Sequence, residues 1–65
     1  MRLIQAHSYE GEPLVYVYEH GQGEWVHYTV EDLTQYNYTD VVTYDNKQQA
    51  LDAAQSIFNK AIETG

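Results

Sequence analysis

Along residues 45–64, DNKQQALDAAQSIFNKAIET, apolar residues return at steps of three and four: Ala50, Leu51, Ala54, Ile57, Phe58, Ala61 and Ile62. That period lays one apolar stripe along an α-helix. Gln48, Gln49, Asp52, Gln55, Ser56, Asn59 and Glu63 fall on the other side. A helix with one apolar side has to bury it, and in a chain of 65 residues the partner must be built from the segments before it. Asp45 or Asn46 is the expected N-cap, with Asp45 and Gln48 at capping-box spacing. Lys60 is expected in the last turn, where a positive charge suits the helix dipole.

The preceding residues read as strands. Residues 3–7 (LIQAH) form a short one, and residues 8–12 (SYEGE) a turn in which Gly11 can adopt a positive φ. Residues 13–19 (PLVYVYE) are β-branched or aromatic almost throughout, with Pro13 at the first position, where a missing N–H does least harm. Residues 20–23 (HGQG) make a hairpin loop, and residues 24–30 (EWVHYTV) return as the next strand. Residues 31–35 suggest one helical turn, with Thr29 and Asp32 as its start signal, and Tyr36, Asn37 and Tyr38 a polar connection. Residues 41–44 (VVTY) read as a fourth short strand. The expected architecture is α+β: a three- or four-stranded, mainly antiparallel sheet (β-β-β-(β)-α) with one C-terminal helix packed on one face, in a single domain over residues 1–65.

Strand faces alternate every second residue, so a choice of register fixes which side chains share a face. Pairing Glu19 with Glu24 sets Tyr18 opposite Trp25 and Tyr16 opposite His27. Pairing Ser8 with Pro13 sets Gln5 opposite Tyr16. One face then collects Ile4, Ala6, Val15, Val17, Val26, Tyr28 and Val30, which suits the alanine-rich helix stripe. The other collects Leu3, Gln5, His7, Leu14, Tyr16, Tyr18, Trp25 and His27. A core this small predicts a modestly stable monomer or a weak homodimer.

Charge narrows the function. Ten acids against three Lys and Arg give −7, and residues 1–45 carry the whole excess, with eight acids and Arg2 alone against them. Such a chain repels nucleic-acid phosphates and anionic membranes, so neither is an expected direct partner. The absence of cysteine removes disulfides, thiolate metal sites and cysteine catalysis. With no secretory pattern and no long apolar run, a cytoplasmic protein is expected.

No chemistry-bearing motif emerges. His7, His20 and His27 lack HxH or HxxxH spacing, no serine sits in a nucleophile-elbow context, and no glycine-rich phosphate loop opens the helix. Catalytic, cofactor-binding and metal residues are therefore expected to be none, and the chain is read as non-enzymatic. The aromatic face is the stronger signal, because tyrosine and tryptophan dominate protein-interface hot spots. The expected partner-binding residues are Tyr16, Tyr18, Trp25, His27, Glu31, Asp32, Tyr36, Tyr38 and Asp40, the last five lying where a loop could add charge and anchors. The expected function is a protein-binding module or small regulatory or inhibitory protein. The alternatives are an inhibitor that imitates nucleic acid and a generic domain whose aromatics are buried in a homodimer.

Overall fold

The computed structural model describes residues 1–64. Four strands, β1 (Arg2–Tyr9), β2 (Glu12–His20), β3 (His27–Asp32) and β4 (Asp40–Tyr44), form one antiparallel sheet in the order of the sequence. A single helix, α1 (Lys47–Thr64), then packs across one face. This is the expected α+β fold, with the fourth strand present and paired to β3.

Two of the valines of β2 supply the floor of the core. Val15 and Val17 are fully enclosed, with Val30 and Tyr28 of β3 beside them and Ala50 and Ala54 of α1 above. Those two alanines let the helix backbone approach the sheet. Ile57, Phe58 and Leu51 pack around this centre and are partly buried, and Ile62, 37% exposed, lies at its margin.

The helix start is set by Asn46 rather than Asp45. Its Oδ1 accepts the Gln49 N–H at 3.0 Å, and its carbonyl accepts the Ala50 N–H at 3.2 Å. The side chain therefore satisfies one of the donors that an α-helix leaves without an internal partner. At the other end α1 continues to Thr64, so Lys60 falls before the last turn instead of within it. Replacing Asn46 with alanine should cost about 0.5–2 kcal/mol. The same change at Asp45 should leave the thermal midpoint nearly unmoved, and equal losses at both positions would contradict this assignment.

Both hairpins depart from the expected register, with different consequences. The first turn is tighter than residues 8–12. Tyr9 pairs with Glu12, and Glu10 (φ 51°) and Gly11 (φ 83°) alone bridge the strands, both left-handed as a type I′ turn requires. Ser8 does face Pro13, but the register shifts after His7, where Leu14 is the extra residue, and again at Ile4. Gln5 consequently lies opposite Val17, and Ala6 opposite Tyr16. Gln5 and His7 turn towards the helix, not the open face. The His7 ring stacks on Phe58 with centroids 4.9 Å apart, and its Nε2 lies 3.0 Å from the Gln5 amide oxygen.

In the second hairpin β3 begins at His27, not Glu24. Residues 23–25 close a 3₁₀ turn in which the Trp25 N–H donates to the Gln22 carbonyl at 3.0 Å. Gly21, at φ 80°, is required here twice over: a Cβ would meet the Trp25 carbonyl oxygen at 2.4 Å, and L-residues avoid that φ. His20 pairs with His27, Tyr18 with Thr29 and Tyr16 with Glu31. The slip from the expected pairing is by an even number of residues, so Val26, Tyr28 and Val30 still face the helix.

Residues 31–35 form no helical turn. Glu31 and Asp32 complete β3, and the Leu33 N–H still donates to the Leu14 carbonyl at 2.9 Å. Asp32 then ends the strand with an Asx turn. Its Oδ1 accepts the Thr34 N–H at 2.8 Å and the Thr34 hydroxyl at 2.5 Å, while Gln35 reaches Oδ2 at 3.4 Å. Burial alone would raise the Asp32 carboxyl, but these hydrogen bonds outweigh it and hold the group below its usual range.

Candidate functional site

The sheet face turned away from α1 carries a continuous line of rings. Alternation along β2 sends Tyr16, Tyr18 and His20 outward while Val15 and Val17 point to the core. Tyr16 and Tyr18 meet edge to face with centroids 6.1 Å apart, and Tyr18 lies 6.5 Å from His20. His20 stacks on His27 across the strand pair at 4.9 Å, with the two planes within 10°. Four rings thus run along one strand and step onto the next.

Polar contacts fix the histidine end. His20 Nε2 lies 2.8 Å from the Thr29 hydroxyl, and His27 Nδ1 lies 3.1 Å from the Trp25 carbonyl. A carbonyl can only accept, so His27 donates from Nδ1 and in its neutral form presents Nε2 as a bare acceptor. At the tyrosine end, burial first, then the Glu31 carboxylate and the Tyr16 phenol, push the Tyr18 hydroxyl above its ordinary value of 10.0. It therefore stays protonated, a hydroxyl able both to donate and to accept.

Charge is sparse across this face. The paired rows are Leu3, Tyr18, Thr29 and Thr43, then Ala6, Tyr16, Glu31 and Val41, then His20 and His27. Glu31 is the single carboxylate among these positions of a chain whose net charge is −7. Depletion of charge with enrichment in aromatic residues is the compositional mark of an interface centre.

The residues singled out from sequence divide accordingly. Tyr16, Tyr18, His27 and Glu31 come together on the open face. Trp25 does not pair with Tyr18: it stands on the 3₁₀ turn leading into His27, 79% exposed. Tyr36 (95% exposed) and Tyr38 project into solvent from residues 33–39 and form no lid over the stripe. Asp32 is buried on the helix side, engaged by Thr34 and Gln35, with Asp40 opposite it at the start of β4. These two do not belong to the aromatic face.

His20 was missed. Read as a loop residue beside Glu19, it is the last residue of β2. The signal was present in the two-residue alternation Tyr16, Tyr18, His20, which runs one step past the expected strand end.

A cleft of about 790 Å³ lies on the opposite side, between the first turn, residues 33–35 and the later turns of α1. Asp32 is on its wall, but that carboxylate is already occupied by donors of its own chain. Among the described residues no three or more histidine or acidic side chains converge as a metal site would require. No helix among them is long and apolar enough to cross a membrane. No protein-family model matches the chain, and no curated protein or solved structure matches it.

Proposed function

We propose that this chain is a non-enzymatic binding module, a small regulatory or inhibitory protein that recognises another protein through the open face of its sheet. The observation that carries the reading is the unbroken stripe of Tyr16, Tyr18, His20 and His27 on a face that the helix leaves uncovered. Aromatic rings offer large contact areas with few rotatable bonds to freeze, and Trp25 at the end of the stripe adds the residue type most enriched in hot spots. A cytoplasmic setting and a monomer or weak homodimer belong to the same proposal, since a cysteine-free chain draws no support from an oxidising compartment.

Imitation of nucleic acid has less support. That mechanism needs a long row of carboxylates along one surface, whereas Glu10, Glu12 and Glu24 sit on separate turns or strand ends, Asp32 is buried on the helix side, and only Glu31, Asp40 and Asp45 gather, at β4.

The test is to capture partners from the native host with the parent protein, Tyr18→Ala, Trp25→Ala and Gln55→Ala. Gln55 lies on the outer side of α1, hydrogen-bonded to Asn59 at 2.9 Å. Tyr18→Ala and Trp25→Ala should each lower affinity for the captured protein by about thirtyfold, the equivalent of 2 kcal/mol, with the fold intact. Gln55→Ala should not. Binding should also survive a rise to moderate salt, which would release a charge mimic steeply. A partner held equally by the parent and both aromatic variants would defeat the proposal.

A further inference from the structure

We infer that the free edge of β4 is a docking strand for an extended, basic segment of another protein, which adds to the sheet as one more strand. The strand order leaves β1 and β4 as the two edges. They are not equivalent. The pairing of β1 is broken at Ile4 and again after His7, and Arg2 is held on Glu19 at 2.8 Å. Irregularities of this kind twist an edge and spoil it as a template.

In β4 the pairing with β3 runs without a shift from Asp40 to Tyr44, and its sequence, DVVTY, contains no proline, glycine or lysine. Of the devices that normally blunt an edge strand it carries only its modest length and one charged residue, Asp40, at its first position. Its outer N–H and C=O groups therefore form an even row, the template used when a partner joins a sheet by strand addition.

The side chains along this edge are also uncovered. Because α1 lies chiefly across β2 and β3, Val42 on the helix side remains 44% exposed, and Val41 on the open side 53%. An added strand would place alternate side chains beside each of them, so β-branched residues fit both faces.

Charge selects the occupant. Asp40 opens the strand and Asp45 follows it, both exposed, with Glu31 one strand inward, paired to Val41. A second copy would bring its own Asp40 and Asp45 to the same seam on a body that also carries −7. A segment with lysine or arginine flanking its β-branched residues instead brings opposite charge to both ends. The edge uses none of the rings of the aromatic stripe and shares only Glu31 and Val41 with the open face, so the two surfaces can be tested apart.

The experiment is an NMR titration of the isotopically labelled chain with a short synthetic peptide of alternating valine and threonine flanked by lysines, and with its glutamate-flanked twin. The lysine peptide should shift residues 40–44 first and slow amide exchange along β4. It should bind about tenfold or more tighter than the twin. Val41→Lys and Val42→Lys should each weaken it by about tenfold; if Val42→Lys unfolds the chain, Thr43→Lys, at an exposed position, takes its place. Equal binding of the two peptides, shifts centred on Tyr16 and Tyr18, or no binding up to about millimolar peptide would overturn the inference. So would sedimentation of the parent as a dimer that the β4 lysine variants dissociate, which would give the edge to a second copy.

Discussion

Truncating Val17 to alanine should lower the unfolding free energy by about 2–3 kcal/mol. Val17 is fully enclosed between its strand neighbours and the alanines of α1. Removing two methyl groups there forfeits about 0.8 kcal/mol of transfer energy each, and a cavity term adds to that because the sheet backbone beneath cannot collapse into the gap. Stability of roughly 0.05–0.15 kcal/mol per residue puts a chain of this length at about 3–10 kcal/mol in all. The loss is thus a large fraction of the whole, and a urea titration should show it as a clear fall in midpoint at unchanged slope. Ile57 and Phe58, on the same helix stripe, pack against this core only at its margin and are partly buried. A Val17→Ala variant that unfolds with the parent would mean that the central strand is not packed as described.

The second large effect is expected from adding atoms. Ala54→Leu should destabilise by about 1–3 kcal/mol, because Ala54 has no exposed surface and its side chain meets the valines of the sheet. A looser helix–sheet interface would gain from leucine, which buries more apolar area at little cost in helix propensity. The sign of the change is therefore informative. Destabilisation supports a helix held close to the sheet by its small residues, whereas a gain in thermal midpoint would mean that the interface is looser. Val17→Ala and Ala54→Leu together form a double-mutant cycle across the interface, and the added leucine should recover part of the volume lost below it.

Much of this arrangement could be read directly from residue order. The helix period extends over five turns, long enough for single exceptions such as Ala53 to average out, and its ends were placed within two residues. Val15, Val17, Val26, Tyr28 and Val30 face the core as expected even though the second hairpin pairs in another register, because an even slip leaves every side chain on its own side. The first hairpin was less forgiving. An extra residue at Leu14 changes the parity, and nothing local in SYEGEPLV announces it, so alternation alone places Gln5 and His7 on the open face. The shifted register brings His7 onto Phe58, more than fifty residues away in the chain, a contact that only the folded structure shows.

The candidate site was legible to the same extent and for the same reason. Tyr16 and Tyr18 follow from alternation and His27 from parity, whereas Glu31, expected in a helical turn, reaches the open face because β3 runs on to Asp32. Trp25 was drawn into a strand because aromatic residues favour strands, whereas the glycines at 21 and 23 permit a left-handed path that ends in a 3₁₀ turn. His20 then gains the sheet position that Trp25 loses. Asp32 illustrates a different difficulty: the same residue that can start a helix can end a strand, and the hydrogen bonds to Thr34 decide between them.

Every strand pairs with its neighbour in sequence, and the helix that covers them follows all four. On the ribosome the hairpins consequently become available one after another, each closed by a short loop of low entropic cost. The covering element arrives last. Until Ala50 and Ala54 have left the exit tunnel, Val15, Val17 and Val30 have nothing to pack against, and the nascent sheet is apolar on one side and aromatic on the other. The acidic excess upstream of the helix is already complete at that stage, and it gives the unfinished chain a mutual repulsion that keeps neighbouring copies apart while the last turns emerge.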